Sequence, residues 1–278
     1  MKILVAGATG AIGRRLVPLL VQAGHDVSGT TRSTERAEAL RDAGARPLVV
    51  DVLDAEALRE AVAAERPDVI VHQLTDLSGE DFAANNRLRI DGTRNLVDAA
   101  RAAGVQKMIA QSIAWLYVPG STPATEDEPL DERAFPYPGV AALEEAVASM
   151  PHGVVLRYGA FYGPGTWYAP DGAIAARVRA GELRPSPAWT SFIHVDDAAT
   201  AAVDALEWPA GPVNVVDDEP AQATEWLPVY CEAIGAPVPT GGRHAAATGR
   251  PISNAKARGL GWKPQYASWR IGFEHLTD

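Results

Sequence analysis

A short apolar run, Lys2-Ile3-Leu4-Val5-Ala6, leads directly into three evenly spaced glycines, Gly7, Gly10 and Gly13, and then into a helical pattern. Strand, glycine turn and helix in that order restrict what the chain can fold into more than any other feature. Glycine at these places permits the tight turn, close backbone approach to a pyrophosphate, and close packing of helix on strand. N–H groups at the helix start then face the anion. The reading is a dinucleotide-binding loop made by Gly7, Thr9, Gly10, Ala11, Ile12 and Gly13; the alternative is a structural glycine turn.

Strand-like and helix-like segments continue to alternate. After the first helix, through Leu16, Leu19, Leu20 and Ala23, the pattern predicts strands over 25–31, 46–50, 68–72 and 105–111 and helices over 34–43, 55–64 and 83–103. Such alternation demands right-handed crossovers, hence an α/β fold with a doubly wound parallel sheet (Rossmann). Residues 118–138 carry five prolines and the acids Glu126, Asp127, Glu128, Asp131 and Glu132, which reads as a solvated loop or mobile lid. A helix over 140–150 and a strand over 154–158 follow. Residues 1–165 are assigned mainly to the core and 166–278 mainly to a small substrate lobe, with 193–206 and 213–216 returning to the core.

Composition narrows the partners. The chain has 278 residues, with 35 Asp plus Glu against 25 Lys plus Arg and a net charge of −10. That balance argues against nucleic acid and anionic membranes as partners. No apolar run approaches the ~18 residues of a membrane span, and a glycine at position 7 comes too early for a signal peptide. Cys231, the single cysteine, excludes an internal disulfide, and the six histidines show no ligand spacing, so no metal is expected. A cytoplasmic enzyme with a small-molecule substrate is the expectation.

An NAD site places a carboxylate at the end of the second strand to accept from the ribose. Here Gly29-Thr30-Thr31-Arg32-Ser33 has none, and Arg32 offers a fork suited to a 2′-phosphate. NADP is therefore preferred over NAD, with a solvated helix-start arginine as the bland alternative. Asp51 and Val52 after the third strand are placed for the adenine, and Leu74 and Thr75 after the fourth for the ribose and nicotinamide side.

Three further stretches join the glycine loop: Leu156-Arg-Tyr-Gly-Ala-Phe-Tyr-Gly-Pro-Gly165, Phe192-Ile-His-Val-Asp-Asp-Ala198 and Leu260-Gly-Trp-Lys-Pro-Gln-Tyr266. Together they resemble the extended and atypical short-chain dehydrogenase/reductase superfamily, in its epimerase/dehydratase-like branch. The resemblance implies a nicotinamide cofactor along Gln111, Tyr158, Gly159 and Phe161. It also implies a catalytic Ser or Thr, a Tyr, and a Lys four residues after the Tyr. Tyr137 stands at the tyrosine position, but Ala141 replaces the lysine. Counting back from Tyr117 puts Ile113 at the serine position; a slip of one residue restores Ser112.

A lysine ammonium beside the phenol lowers its pKa. Without it Tyr137 is expected to stay near about 10 and neutral, able to give a proton but poor at taking one. That favours carbonyl reduction over epimerisation. A ketone with a neighbouring phenol activates itself, so the expected activity is substrate-assisted ketone reduction on a small or polycyclic aromatic substrate. The resemblance extends to atypical ketoreductases of antibiotic biosynthesis. Ile113, Trp115, Tyr117, Trp167 and Tyr168 are the expected substrate contacts, because flat ligands favour ring-lined walls. Competing readings are a sugar-nucleotide epimerase or dehydratase, and a non-catalytic NADP-binding sensor. Asp196 or Asp197 reads as a helix N-cap, and His194 as architectural.

Overall fold

A computed structural model describes residues 1–75, 81–239 and 248–277. The strands of the first half are β1 (Lys2–Ala6), β2 (Asp26–Thr31), β3 (Arg46–Val49), β4 (Val69–His72), β5 (Lys107–Ile113) and β6 (His152–Tyr158). With the strand Gly211–Val215 they form one seven-stranded sheet in the order Gly211–Val215, β6, β5, β4, β1, β2, β3. β1 pairs in parallel with β2 and β4, β2 with β3, and β4 with β5. The order reverses at β1, whose successor in sequence lies on one side and β4 on the other, so ligands are expected at the carboxyl ends of these strands.

The helices are α1 (Gly13–Gln22), α2 (Thr34–Asp42), α3 (Ala55–Glu65), α4 (Phe82–Arg87), α5 (Thr93–Ala102) and α6 (Tyr137–Ala148). Ser33, Asp54 and Asp81 cap α2, α3 and α4 through their side-chain oxygens, removing orphan N–H groups at each start. The helix expected over 83–103 is broken by a π-helical turn, Leu88–Gly92, between α4 and α5. A Cβ at Gly92 would lie 3.1 Å from Leu88 Cδ1 and 3.3 Å from Val52 Cγ2, so the glycine admits the tight packing there.

Two compact units result. The first comprises Met1–Ser112, Glu132–Leu156 and Ala199–Pro212; the second comprises Ile113–Asp131, Arg157–Ala198 and Val213–Asp278. The chain thus crosses between units earlier and more often than a boundary at residue 165 describes. The core of the first unit gathers Leu4, Leu58, Val62, Ile70, Leu96, Met108 and Leu143. The second is built on rings: Tyr162, Phe192, Trp226, Tyr230, Trp269 and Phe273 are buried and meet largely edge to face, the arrangement aromatic quadrupoles favour.

Candidate active site

The glycine loop is built as the spacing demands. Gly7 has φ +85°, and a Cβ there would stand 2.8 Å from the Gln73 carbonyl. At Gly13 a Cβ would come within 2.2 Å of the Gly7 oxygen and 2.6 Å of the Ala8 carbonyl carbon. Gly10 N–H donates to Gly7 O at 3.1 Å, and Thr30 Oγ1 accepts from Gly7 N at 3.2 Å, pinning the turn to β2. Ile12 gives α1 no side-chain cap, and no acid lies in its first turn. The N–H groups there meet no carboxylate of their own helix, which suits a diphosphate.

Gln73 supplies a second sign of a ligand. It is buried, and both atoms of its side-chain amide lack a partner among the described residues. Buried polar atoms are otherwise nearly always paired. A cradle closed to any Cβ and an amide awaiting a partner fit a dinucleotide at the end of β1 and β4.

At the end of β2, Arg32 is exposed. The hydroxyls beside it, on Thr31 and Ser33, are committed locally. Thr31 Oγ1 accepts from Ser33 N at 3.2 Å, and Ser33 Oγ accepts from Arg36 N at 3.3 Å. Asp51 Oδ1 accepts from Leu53 N at 2.9 Å, while Val52 is buried with its carbonyl accepting from Asn95. Leu74 and Thr75 close β4; Leu74 N–H donates to His72 Nδ1 at 3.2 Å. His72 Nε2 therefore carries the proton and donates to Thr93 Oγ1 at 2.8 Å. Burial first, then the Arg89 guanidinium, lowers the imidazole pKa to about 4, so His72 is a neutral structural group.

On α6, Tyr137, Ala141 and Glu144 share one face by their spacing. The Tyr137 hydroxyl makes a long 3.5 Å contact to Glu132 Oε1. Partial desolvation first, then the Glu132 carboxylate and the charge of Glu144, raise the phenol above its ordinary value. The expectation that it stays near about 10 is corrected upward: desolvation, and then the nearby carboxylates, act where the family pattern has an ammonium. Ser112, near the end of β5, is buried, and its hydroxyl donates to Glu144 Oε1 at 2.6 Å. Gln111 and Ile113 flank it, both buried. No local pattern in the sequence points to Gln73, and the one sequence signal for Glu144 is its place one turn beyond Ala141.

In the second unit several expected contacts prove to be structural. Tyr117 is buried, accepts from Arg157 Nη1 at 2.8 Å and donates to Asn214 Oδ1 at 2.7 Å, so its hydroxyl is spent within the protein. Tyr168 packs edge to face on Phe192, Trp226 and Tyr230. Tyr158 is fully buried with its hydroxyl on Ala198 O, and a Cβ at Gly159 would strike Ser191 O at 2.4 Å. The Tyr117 and Tyr158 hydroxyls are thus committed within the protein, and Tyr168 takes part in the ring packing of the second unit. Trp115 is 52% exposed, and Trp167 and Phe161 are partly so. The acidic segment is no free lid: Arg250 holds Glu128 through both guanidinium nitrogens at 3.0 and 3.1 Å, and Glu126 accepts from Asn214 N. Asp196 and Asp197 lie inside the first turn of the helix Val195–Asp204 rather than before it. Asp197 instead accepts from Gln265 N and Tyr266 N.

Residues 3–216 match the model of the NAD dependent epimerase/dehydratase family. The chain is 47% identical to the 3-diazoavenalumate denitrifying reductase of a Streptomyces species, over 98% of this chain and 99% of that one. It is 29% identical to the 4-hydroxy-2-methyl-3-oxo-4-farnesyl-3,4-dihydroquinoline-1-oxide ketoreductase of Stigmatella aurantiaca, over 84% and 74% of the two chains. Among solved structures it resembles the Thermus thermophilus UDP-glucose 4-epimerase in complex with NAD, with a TM-score of 0.78 and 27% identity over 99% and 97% of the chains. The glycine cradle, the sheet order and these matches agree: the chain belongs to the NAD-dependent epimerase/dehydratase family.

Proposed function

We propose that this oxidoreductase uses NADPH to reduce an aromatic diazo group, in its diazonium form, replacing nitrogen by hydrogen. The observation that carries the reading is the surroundings of Tyr137: Glu132 Oε1 lies 3.5 Å from its hydroxyl, and Ala141 stands where the family pattern has a lysine. Desolvation first, then Glu132 and Glu144, raise its pKa, which makes the phenol a weaker acid toward a developing alkoxide. Carbonyl reduction needs a proton delivered to oxygen. A diazonium does not: one C–N bond breaks, one C–H bond forms, dinitrogen leaves, and the nicotinamide gives up two electrons with no proton consumed. A reduced nicotinamide supplies the hydride when bound; the chain's residues hold and orient the two reactants, which can be worth roughly 7–11 kcal/mol of barrier. The 47% identity to a reductase named for denitrifying a diazo compound supports the same chemistry.

In this reading Gly7, Thr9, Gly10, Ala11, Ile12 and Gly13 hold the diphosphate. Arg32 favours the 2′-phosphate of NADP, since residues 29–33 carry no acid. Asp51, Val52, Leu74 and Thr75 flank adenine and ribose, and Trp115 and Trp167 are the accessible rings for a flat substrate. A second reading, reduction of an aromatic ketone activated by its own phenol, is favoured by the 29% identity to a named ketoreductase. Incubation with NADPH and a hydroxyl-bearing arenediazonium salt separates them. The expected result is one dinitrogen released per NADPH oxidised, well above the rate without protein. No dinitrogen, together with NADPH oxidation on hydroxyquinones, would overturn the diazonium reading.

A further inference from the structure

The hydroxyl of Ser112 has one proton, and the structure shows where it goes: to Glu144 Oε1, at 2.6 Å. Ser112 is buried and Glu144 is partly so, on the α6 face that also carries Tyr137 and Ala141. With the one-residue slip that puts Ser112 at the family's serine position, this hydroxyl would be the donor to a substrate oxygen. A serine whose proton is held by a carboxylate has only lone pairs left to offer, because the hydroxyl carries a single donor and two acceptor sites. Bonds to ionised acceptors are the shorter and stronger kind, so a neutral carbonyl competes poorly for that proton. Arg89, buried near Glu144 with its guanidinium lowered to about 10 chiefly by desolvation, offsets part of the carboxylate charge. The direction of the hydroxyl, rather than net charge alone, is therefore the distinctive feature.

We infer that Glu144 is a positioning residue that turns the Ser112 hydroxyl into an acceptor, so that the site selects a cationic reducible group over a carbonyl oxygen. The inference rests on the reading that Ser112 lies at the reacting end of the substrate. It gives the serine a role in a chain that has Ala141 where the family pattern has a lysine. Its oxygen meets positive charge on the substrate, and its proton is withheld from any alkoxide.

The test uses two unreactive ligands of nearly equal shape, 4-hydroxyphenyltrimethylammonium and 4-tert-butylphenol, titrated calorimetrically into the full-length protein with oxidised NADP present. The native protein is expected to bind the cation about tenfold tighter than its neutral isostere, the difference one charge-assisted contact supplies. Glu144→Ala removes the acceptor and is expected to abolish that preference and to raise kcat/KM for aromatic ketones about tenfold. Glu144→Asp, which keeps a carboxylate, is expected to retain the cation preference, and NADP affinity is expected to stay constant throughout. A preference unchanged in Glu144→Ala would overturn the inference even where dinitrogen release stands. Native protein that releases no dinitrogen would instead overturn the functional reading.

Discussion

A Gly13→Val protein is expected to bind its nicotinamide dinucleotide at least ~10³-fold more weakly than the native chain, a loss of about 4 kcal/mol. The first carbon of any side chain at position 13 would stand 2.2 Å from the Gly7 oxygen and 2.6 Å from the Ala8 carbonyl carbon. Both obstacles are backbone, so no rotamer change relieves them. The turn would have to open, carrying with it the Gly10 N–H to Gly7 O bond and the Thr30 hydroxyl that holds Gly7. The N–H groups at the start of α1 would then point away from a diphosphate. Fluorescence titration with NADPH, alongside circular dichroism to show that the sheet persists, reads the effect. Affinity within threefold of native would show that the loop holds no phosphate.

The second large effect belongs to the other unit. Asp217→Ala is expected to cost about 4 kcal/mol of stability, near 10 °C in melting temperature for a chain of this size. Asp217 is buried, with Oδ1 accepting from Glu219 N at 3.1 Å and Oδ2 from Trp269 N at 2.8 Å. Burial pushes its pKa well up, against the pull of those two bonds. Alanine leaves both donors without their acceptor, each costing about 1–3 kcal/mol. It also frees the turn that seats Trp269 among Phe192 and Phe273. Asp217→Asn, which keeps one acceptor oxygen, is expected to lose about half as much. Thermal melting checks both, and an Asp217→Ala midpoint within 2 °C of native would refute the role.

How much of this was legible beforehand follows from how local each signal is. The glycine loop, the alternating strands and Arg32 at the end of β2 are written within stretches of about thirty residues, where periodicity and turn chemistry decide. The break at Leu88–Gly92 was not, because apolar periodicity carries on through α4 and α5, and only the approach of Val52 to Gly92 reveals the wider turn. Tyr117 reads as a loop aromatic until Arg157 and Asn214, 40 and 97 residues away, take its hydroxyl. The acids at 126–132 read as solvated until Arg250, 122 residues beyond Glu128, clamps one of them. Glu144 has the same character. Its importance lies in Ser112, 32 residues earlier on a different element, and no spacing rule connects the two.

In the proposed reading the chemistry follows from two carboxylates: Glu132, 3.5 Å from the Tyr137 hydroxyl, and Glu144, 2.6 Å from the Ser112 hydroxyl. A phenol whose pKa is raised by desolvation first, then by Glu132 and Glu144, is a poor base at neutral pH. A serine whose proton is committed cannot serve as an acid. In the proposed reading, what remains is placement of a hydride donor against an acceptor that already carries positive charge. Turnover of an arenediazonium by Tyr137→Phe tests this most directly: with protein acid–base catalysis absent, kcat is predicted to stay within about threefold of native. A loss beyond about 10³-fold, the scale on which a general acid acts, would contradict it.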